Sequence, residues 1–111
     1  MARDTTDDRP LGGFDDMVGW MEAGCKPRDQ WRIGTEHEKF PFYIDGNRPV
    51  PYGGDKGIRA LLEGMREKLG WEPIIDAGHI IGLVEPTGQG AISLEPGGQF
   101  ELSGAPLATI H

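Results

Sequence analysis

The sequence predicts an α+β protein in which helices flank an antiparallel sheet. Apolar residues recur at helical spacing in two segments, whereas several later segments are short, apolar or alternating, and separated by glycine-containing connections. These connections are too short for crossover helices, so neighbouring strands are expected to run antiparallel. A chain of 111 residues forms at most one domain, and its core is thin.

Two helices follow from the periodicity. The first begins at Phe14, has Met17, Val18 and Met21 on the same face, and ends at Gly24. The second is expected to be capped by Asp55 and to end at Gly70. Its apolar face comprises Ile58, Leu61, Leu62, Met65 and Leu69. The last segment, "GAPLATIH", begins like a third helix with an early proline.

The strands are predicted from shorter patterns. "WRIGTEHEKFPFYID" is interpreted as one strand, with Trp31 and Ile33 on the face opposite Glu36 and Glu38, and "DGNRPVPYGGD" as a loop. "WEPIID", "HIIGLV" and "ISLEPGGQFELSG" then form a meander with tight connections. The last of these keeps its alternation across Pro-Gly-Gly, which indicates either one strand with a bulge or two strands that preserve facing.

Charge and composition exclude several classes of protein. The formal net charge is −7 and no basic cluster is present, which argues against nucleic-acid binding. No apolar run of 18 residues and no signal-peptide pattern are found, so a cytoplasmic protein without membrane contact is expected. The single Cys25 cannot form an intramolecular disulfide and has no visible base partner. Residues 1–10 are predicted to be a disordered tail before a domain at 11–111.

Glu36 and Glu38 are the first candidate metal ligands. Two residues apart on a strand, they project from one face about 7 Å apart, and two like charges this close favour a cation between them. A solvated strand face is the alternative. His37 has the opposite parity and is expected in the core or behind the ligands.

Glu95, Gln99 and Glu101 form the second candidate set, because they share one parity while an apolar set backs them. Such a face suits magnesium, which takes hard oxygen ligands, and with Glu36 and Glu38 it would bring four carboxylates to one sheet face. A plain hairpin with a polar outside is the alternative. The Gly97-Gly98-Gln99 tripeptide looks like that of peptide release factors, but flanking acids would repel RNA.

The chain resembles a known family at "GCKPRDQ", "WRIGTEHEKFPF" and "ISLEPGGQFELSGAPL". These segments look like the N-terminal part of glutamate–cysteine ligase of the plant and proteobacterial type, and the similarity runs from about Leu11 to the last residue. Family members are several times longer, so the chain is expected to be a first portion. Ala108 departs from the family, where many relatives carry an acidic residue.

The resemblance implies part of a glutamine-synthetase-like catalytic domain that binds Mg²⁺ and ATP and joins L-glutamate to L-cysteine through an acyl phosphate. It assigns Glu36, Glu38, Glu95 and Glu101 to metal binding, Glu95 and Glu101 also to the glutamate substrate, and Gln99 to the nucleotide. It places the basic residues that hold ATP outside the chain, so the chain alone is expected to lack activity. The alternative is a non-catalytic acidic module that binds a cation or glutamate. Either would have exposed sheet edges that invite self-association.

Overall fold

A computed structural model describes residues 8–111, which fall into two compact units. One unit comprises residues 34–106, and the other comprises residues 8–33 together with 107–111. Of the predicted disordered tail, residues 1–7 lie outside the described part of the chain. The predicted α+β class is confirmed, since the two units contain two α-helices and a five-stranded antiparallel sheet.

The unit of residues 34–106 is built on the five-stranded sheet. Its strands are β1 (Glu36–Lys39), β4 (Glu72–Asp76), β5 (His79–Val84), β6 (Ala91–Glu95) and β7 (Gln99–Ser103). A two-stranded ribbon, β2 (Phe42–Tyr43) with β3 (Arg48–Pro49), and helix α2 (Ile58–Leu69) complete the unit. The strand order is β1-β7-β6-β5-β4, so β1 and β4 form the edges. Every neighbouring pair is antiparallel.

Tight turns explain why the predicted meander forms. Ala77 and Gly78 both have positive φ, 45° and 80°, which joins β4 to β5 in the conformation that two-residue hairpins favour. Pro96–Gly98 makes a short 3₁₀ turn in which Gly97 and Gly98 have φ of 81° and 79°. The segment around Pro-Gly-Gly is therefore a hairpin of two strands, one of the two predicted alternatives.

Helix α2 packs on one face of this sheet, chiefly against β5. Leu62 and Leu83 are fully buried, and they form the core with Ile58, Ile80 and Ile92. Ile80 reaches this side because β4 and β5 shift register: Ile74 lies opposite Gly82, but Ile75 lies opposite Ile80. The shift leaves an extra residue on β5, as a bulge does, and places Ile80 on the same face as Leu83.

Two predicted boundaries in this unit were wrong. Helix α2 is capped by Gly57 rather than Asp55, and no side chain bonds to its first turn. A side chain at Gly57 would lie 2.3 Å from the carbonyl oxygen of Gly53, so the tight turn before the helix requires glycine. The segment predicted as one strand from Trp31 contains two shorter strands, β1, which starts only at Glu36, and β2. The segment predicted to be a loop contains β3, which pairs with β2.

The other unit contains α1 (Phe14–Ala23), which ends at Gly24 as predicted. The structure describes every residue of α1, and none of them is buried. The predicted C-terminal helix is wrong, because Leu107 instead forms an antiparallel bridge with Ile33 through two backbone hydrogen bonds. Among residues 8–111 the structure has no helix whose length and apolar character would carry it across a membrane.

Candidate functional site

The strand register collects the predicted site residues on the sheet face opposite α2. Paired residues of an antiparallel sheet share a face, and so do alternate residues of each strand. By this rule one set of polar side chains from β1, β7 and β6 lies on a single face, which we call the acidic face: Glu36, Glu38, Ser93, Glu95, Gln99, Glu101 and Ser103. The register thus places the four predicted carboxylates on one sheet face, in different rows across the strands.

The acidic face is arranged in rows across the strands. Glu38 of β1 lies opposite Glu101 of β7, and Glu101 lies opposite Ser93 of β6. Directly opposite residues in such pairs have Cβ atoms about 5 Å apart, so Glu38 and Glu101 are close neighbours of like charge. Glu95 lies opposite Gln99, next to the turn that joins β6 and β7.

Burial differs sharply among these carboxylates. Glu101 is only 9% exposed, whereas Glu36 and Glu38 on the edge strand are exposed and Glu95 is half-buried. A carboxylate removed from water requires hydrogen bonds or a cation to compensate for the lost solvation. The buried Glu101 carboxylate is therefore the group on this face with the strongest requirement for a partner.

Serine hydroxyls supply part of that compensation. Ser103 Oγ donates to Glu101 Oε1 at 2.8 Å, and Ser93 Oγ donates to Glu95 Oε1 at 2.9 Å. Within the described part of the chain, no ion pair includes either carboxylate. Among the described residues, the negative charge of Glu101 thus faces Glu38 with one hydroxyl donor and no lysine or arginine within ion-pair distance.

The donor chemistry of the acidic face fits magnesium, which binds carboxylate and amide oxygens. Among the described residues, no three His, Cys, Asp or Glu side chains are gathered as a ready-made metal cluster. Magnesium commonly keeps several waters and takes one or two carboxylates plus substrate phosphates, so it does not require such a cluster. None of the residues of the acidic face lines the depression along α1 or the one at the end of α2.

Sequence reasoning missed the two serines as partners of the carboxylates. Their signal was present, because Ser93-Leu94-Glu95 and Glu101-Leu102-Ser103 each place a hydroxyl and a carboxylate two residues apart on one face. His37, on the other parity, lies opposite Leu102 on the other face but is exposed rather than buried.

Comparison with known proteins gives a consistent result. The sequence model described as glutamate-cysteine ligase family 2 matches residues 32–111. The chain is 52% identical over 97 residues to chloroplastic glutamate–cysteine ligase A of Oryza sativa subsp. japonica, which covers 87% of this chain and 19% of that protein. It is 50% identical over 97 residues to the chloroplastic glutamate–cysteine ligase of Arabidopsis thaliana, with 87% and 18% covered. These matches confirm the resemblance predicted from the sequence motifs.

The comparison also corrects one prediction and sets the scale of the match. The chain spans about a fifth of the length of the curated relatives that it matches. The expected cytoplasmic location is wrong, because these relatives are named as chloroplastic enzymes. The physical reason is that proteins of all aqueous compartments have similar charged surfaces, so composition does not identify the compartment. Targeting signals determine the compartment instead.

Proposed function

The chain belongs to glutamate-cysteine ligase family 2, and we propose that its acidic face forms part of the active site of an ATP-dependent ligase. The proposed reaction joins the γ-carboxylate of L-glutamate to the amine of L-cysteine, the first step of glutathione biosynthesis. The observation that carries this proposal is the nearly buried Glu101 carboxylate, which faces Glu38 and has no cationic side chain beside it in the described chain.

In the proposed reaction, the γ-phosphoryl group of ATP passes to the glutamate γ-carboxylate, giving an acyl phosphate and ADP. The cysteine amine then attacks the acyl carbon, the amide bond forms and phosphate leaves. Magnesium would supply positive charge where negative charge builds on the transferring phosphoryl oxygens.

The chain's own residues would divide this work by position. The metal ligands would be Glu36, Glu38, Glu95 and Glu101. Carboxylates also attract ammonium groups, so Glu95 and Glu101 would orient the substrate glutamate by its α-ammonium. Gln99, next to the β6–β7 turn, would use its amide to bind the nucleotide.

The test is a full-length rice ligase that carries this chain in place of its own matched segment. Glu101→Gln keeps the size of the side chain and removes its charge, so magnesium-dependent turnover should fall on the order of 100-fold. Glu72→Gln is the matched control. It lies on the same sheet face but on the opposite edge strand, about 19 Å from β1 at the usual strand spacing, and it should leave turnover unchanged. Normal turnover in the Glu101 variant would overturn the assignment.

A second function is favoured by one observation, namely that residues 34–106 form a compact unit with their own buried core. Such a unit would serve as a non-catalytic module that binds a cation or glutamate. Turnover by the 111-residue chain alone would exclude this alternative. The binding-module alternative would be favoured if the unsubstituted chimeric ligase had no turnover while the folded 111-residue chain still bound magnesium.

A further inference from the structure

We propose that Ser93 and Ser103 are positioning residues, whose hydroxyls hold Glu95 and Glu101 in the orientation that binds the metal. This inference rests on the proposed function. The evidence is the pair of hydrogen bonds described above, in which each serine donates to Oε1 of the glutamate two residues away on its own strand.

The two pairs have opposite residue order on the strands that flank the β6–β7 turn, and they are offset by one pair of facing residues. Serine precedes glutamate on β6 and follows it on β7, and the register sets Ser93 opposite Glu101. In both pairs the hydroxyl bonds to Oε1, while Oε2 receives no hydrogen bond from the described part of the chain. Each serine therefore fixes one carboxylate oxygen and leaves the other available to a ligand.

Fixing these side chains before the ligand arrives favours binding. A glutamate side chain has many rotamers, and a ligand that must order it loses affinity in proportion to that freedom. Partners that orient metal ligands typically change metal affinity by 10-fold to 100-fold when they are removed. The exposed Glu36 and Glu38 have no such hydroxyl partner among the described residues, so preorganisation is confined to β6 and β7.

A third hydroxyl–carboxylate pair in the same unit has a different arrangement. In the β5–β6 loop, the Glu85 carboxylate accepts hydrogen bonds from the Thr87 hydroxyl and from the backbone N–H groups of Thr87 and Gln89, all at Oε2. The Thr87 hydroxyl is the main cause that lowers the pKa of Glu85 below its ordinary value of 4.5. This carboxylate closes its own loop, whereas each serine pair gives its carboxylate a single donor.

The test compares variants of equal shape. Ser103→Thr keeps the hydroxyl and Ser103→Val replaces it with a methyl group, and both residues suit a strand. Titration of the 111-residue chain with MgCl₂ should show about 10-fold weaker binding for Ser103→Val and near-normal binding for Ser103→Thr. Thr87→Val removes a hydroxyl from the loop pair and should leave magnesium affinity unchanged. Circular dichroism of each variant establishes that it is folded.

The same variants in the chimeric ligase give a second readout. Ser103→Val should raise the magnesium concentration required for half-maximal rate more than it lowers kcat, and Ser103→Thr should restore it. If the unsubstituted protein binds magnesium and the Val and Thr variants have equal magnesium affinity, the positioning role is overturned and the proposed function stands. If the unsubstituted chain does not bind magnesium and the unsubstituted chimera shows no magnesium-dependent turnover, the proposed function is overturned, and this inference with it.

Discussion

The two faces of the five-stranded sheet are made by alternate residues of the same strands, yet they have opposite chemistry. One face carries Leu83 and Ile92, which are buried in the core that includes α2. The other presents the acidic face, where Glu38 and Glu101 lie directly opposite each other. The first face removes apolar surface from water, whereas the second brings like charges together. The free energy gained by burial on the first face must therefore offset the charge repulsion on the second.

This contrast separates the face that stabilises the unit from the face that we propose binds the ligand. Carboxylates that repel one another in the free protein lower its stability, and selection for stability alone would not retain them. A cation binding between them would convert the repulsion into attraction. The acidic face is therefore expected to tolerate substitution structurally while losing ligand binding, and the covered face is expected to show the reverse.

The largest expected effect is on the covered face. Leu62 is fully buried, so Leu62→Ala removes its packing and leaves a cavity, and the free energy of unfolding should fall by about 2–5 kcal/mol. Ile44 is 92% exposed in the same unit, and Ile44→Ala should change stability by less than about 0.5 kcal/mol. Urea denaturation followed by circular dichroism measures both. Similar losses in the two variants would contradict the assignment of the core.

Glycine at position 82 gives an intermediate effect on the other face. A Cβ there would lie 2.4 Å from the Ile92 carbonyl oxygen and 3.3 Å from Ile74 Cδ1. Gly82→Ala should therefore force the strands apart and cost about 1–3 kcal/mol of unfolding free energy. Gly82 lies opposite Ser93 and outside the acidic face, at a position where the close approach of β6 leaves no room for a methyl group.

Gly64→Ala is the control for this substitution, and the opposite sign is expected. Gly64 lies inside α2, and a Cβ there would meet nothing within 4 Å. Alanine in an open helical position stabilises by about 0.5–1 kcal/mol relative to glycine. The same urea titration compares the two variants, and a loss of stability at Gly64 comparable to that at Gly82 would show that the strand contact is not the cause.

The sequence predicted most of this comparison from simple periodicities. Leu62 followed from the helical pattern, and the shared face of Glu95 and Glu101 followed from alternation that continued across the turn. Family motifs then pointed to the four carboxylates. These elements were predictable because each depends on neighbours within one short segment.

Features that depend on distant pairing were not predicted. The burial of Ile80 depends on a register shift between β4 and β5, and strict alternation would have placed it with Gly82 on the other face. The bridge between Ile33 and Leu107 replaced a predicted helix, since the local pattern after Pro106 could not reveal a partner more than 70 positions away. That Glu38 faces Glu101 is likewise a matter of register, which parity within one strand does not fix.

The smallest expected effect separates repulsion from ligand binding on the acidic face. Glu38→Gln removes one of two carboxylates that lie directly opposite each other, so the metal-free chain should gain up to about 1 kcal/mol of unfolding free energy. The gain should shrink in 1 M NaCl, where the screening length is about 3 Å. Magnesium affinity should fall in the same variant, because a proposed ligand is lost. Urea denaturation and magnesium titration of one protein sample measure the two effects.

Glu36→Gln is the matched control because the register gives Glu36 a neutral partner, Ser103. Glu36 and Glu38 are both exposed on β1, so the two variants differ chiefly in the charge that each side chain faces. Only Glu38→Gln should stabilise the metal-free chain, whereas both should weaken magnesium binding. Equal stabilisation by the two variants would mean that the net charge of −7 opposes folding as a whole and that the facing pair has no special role.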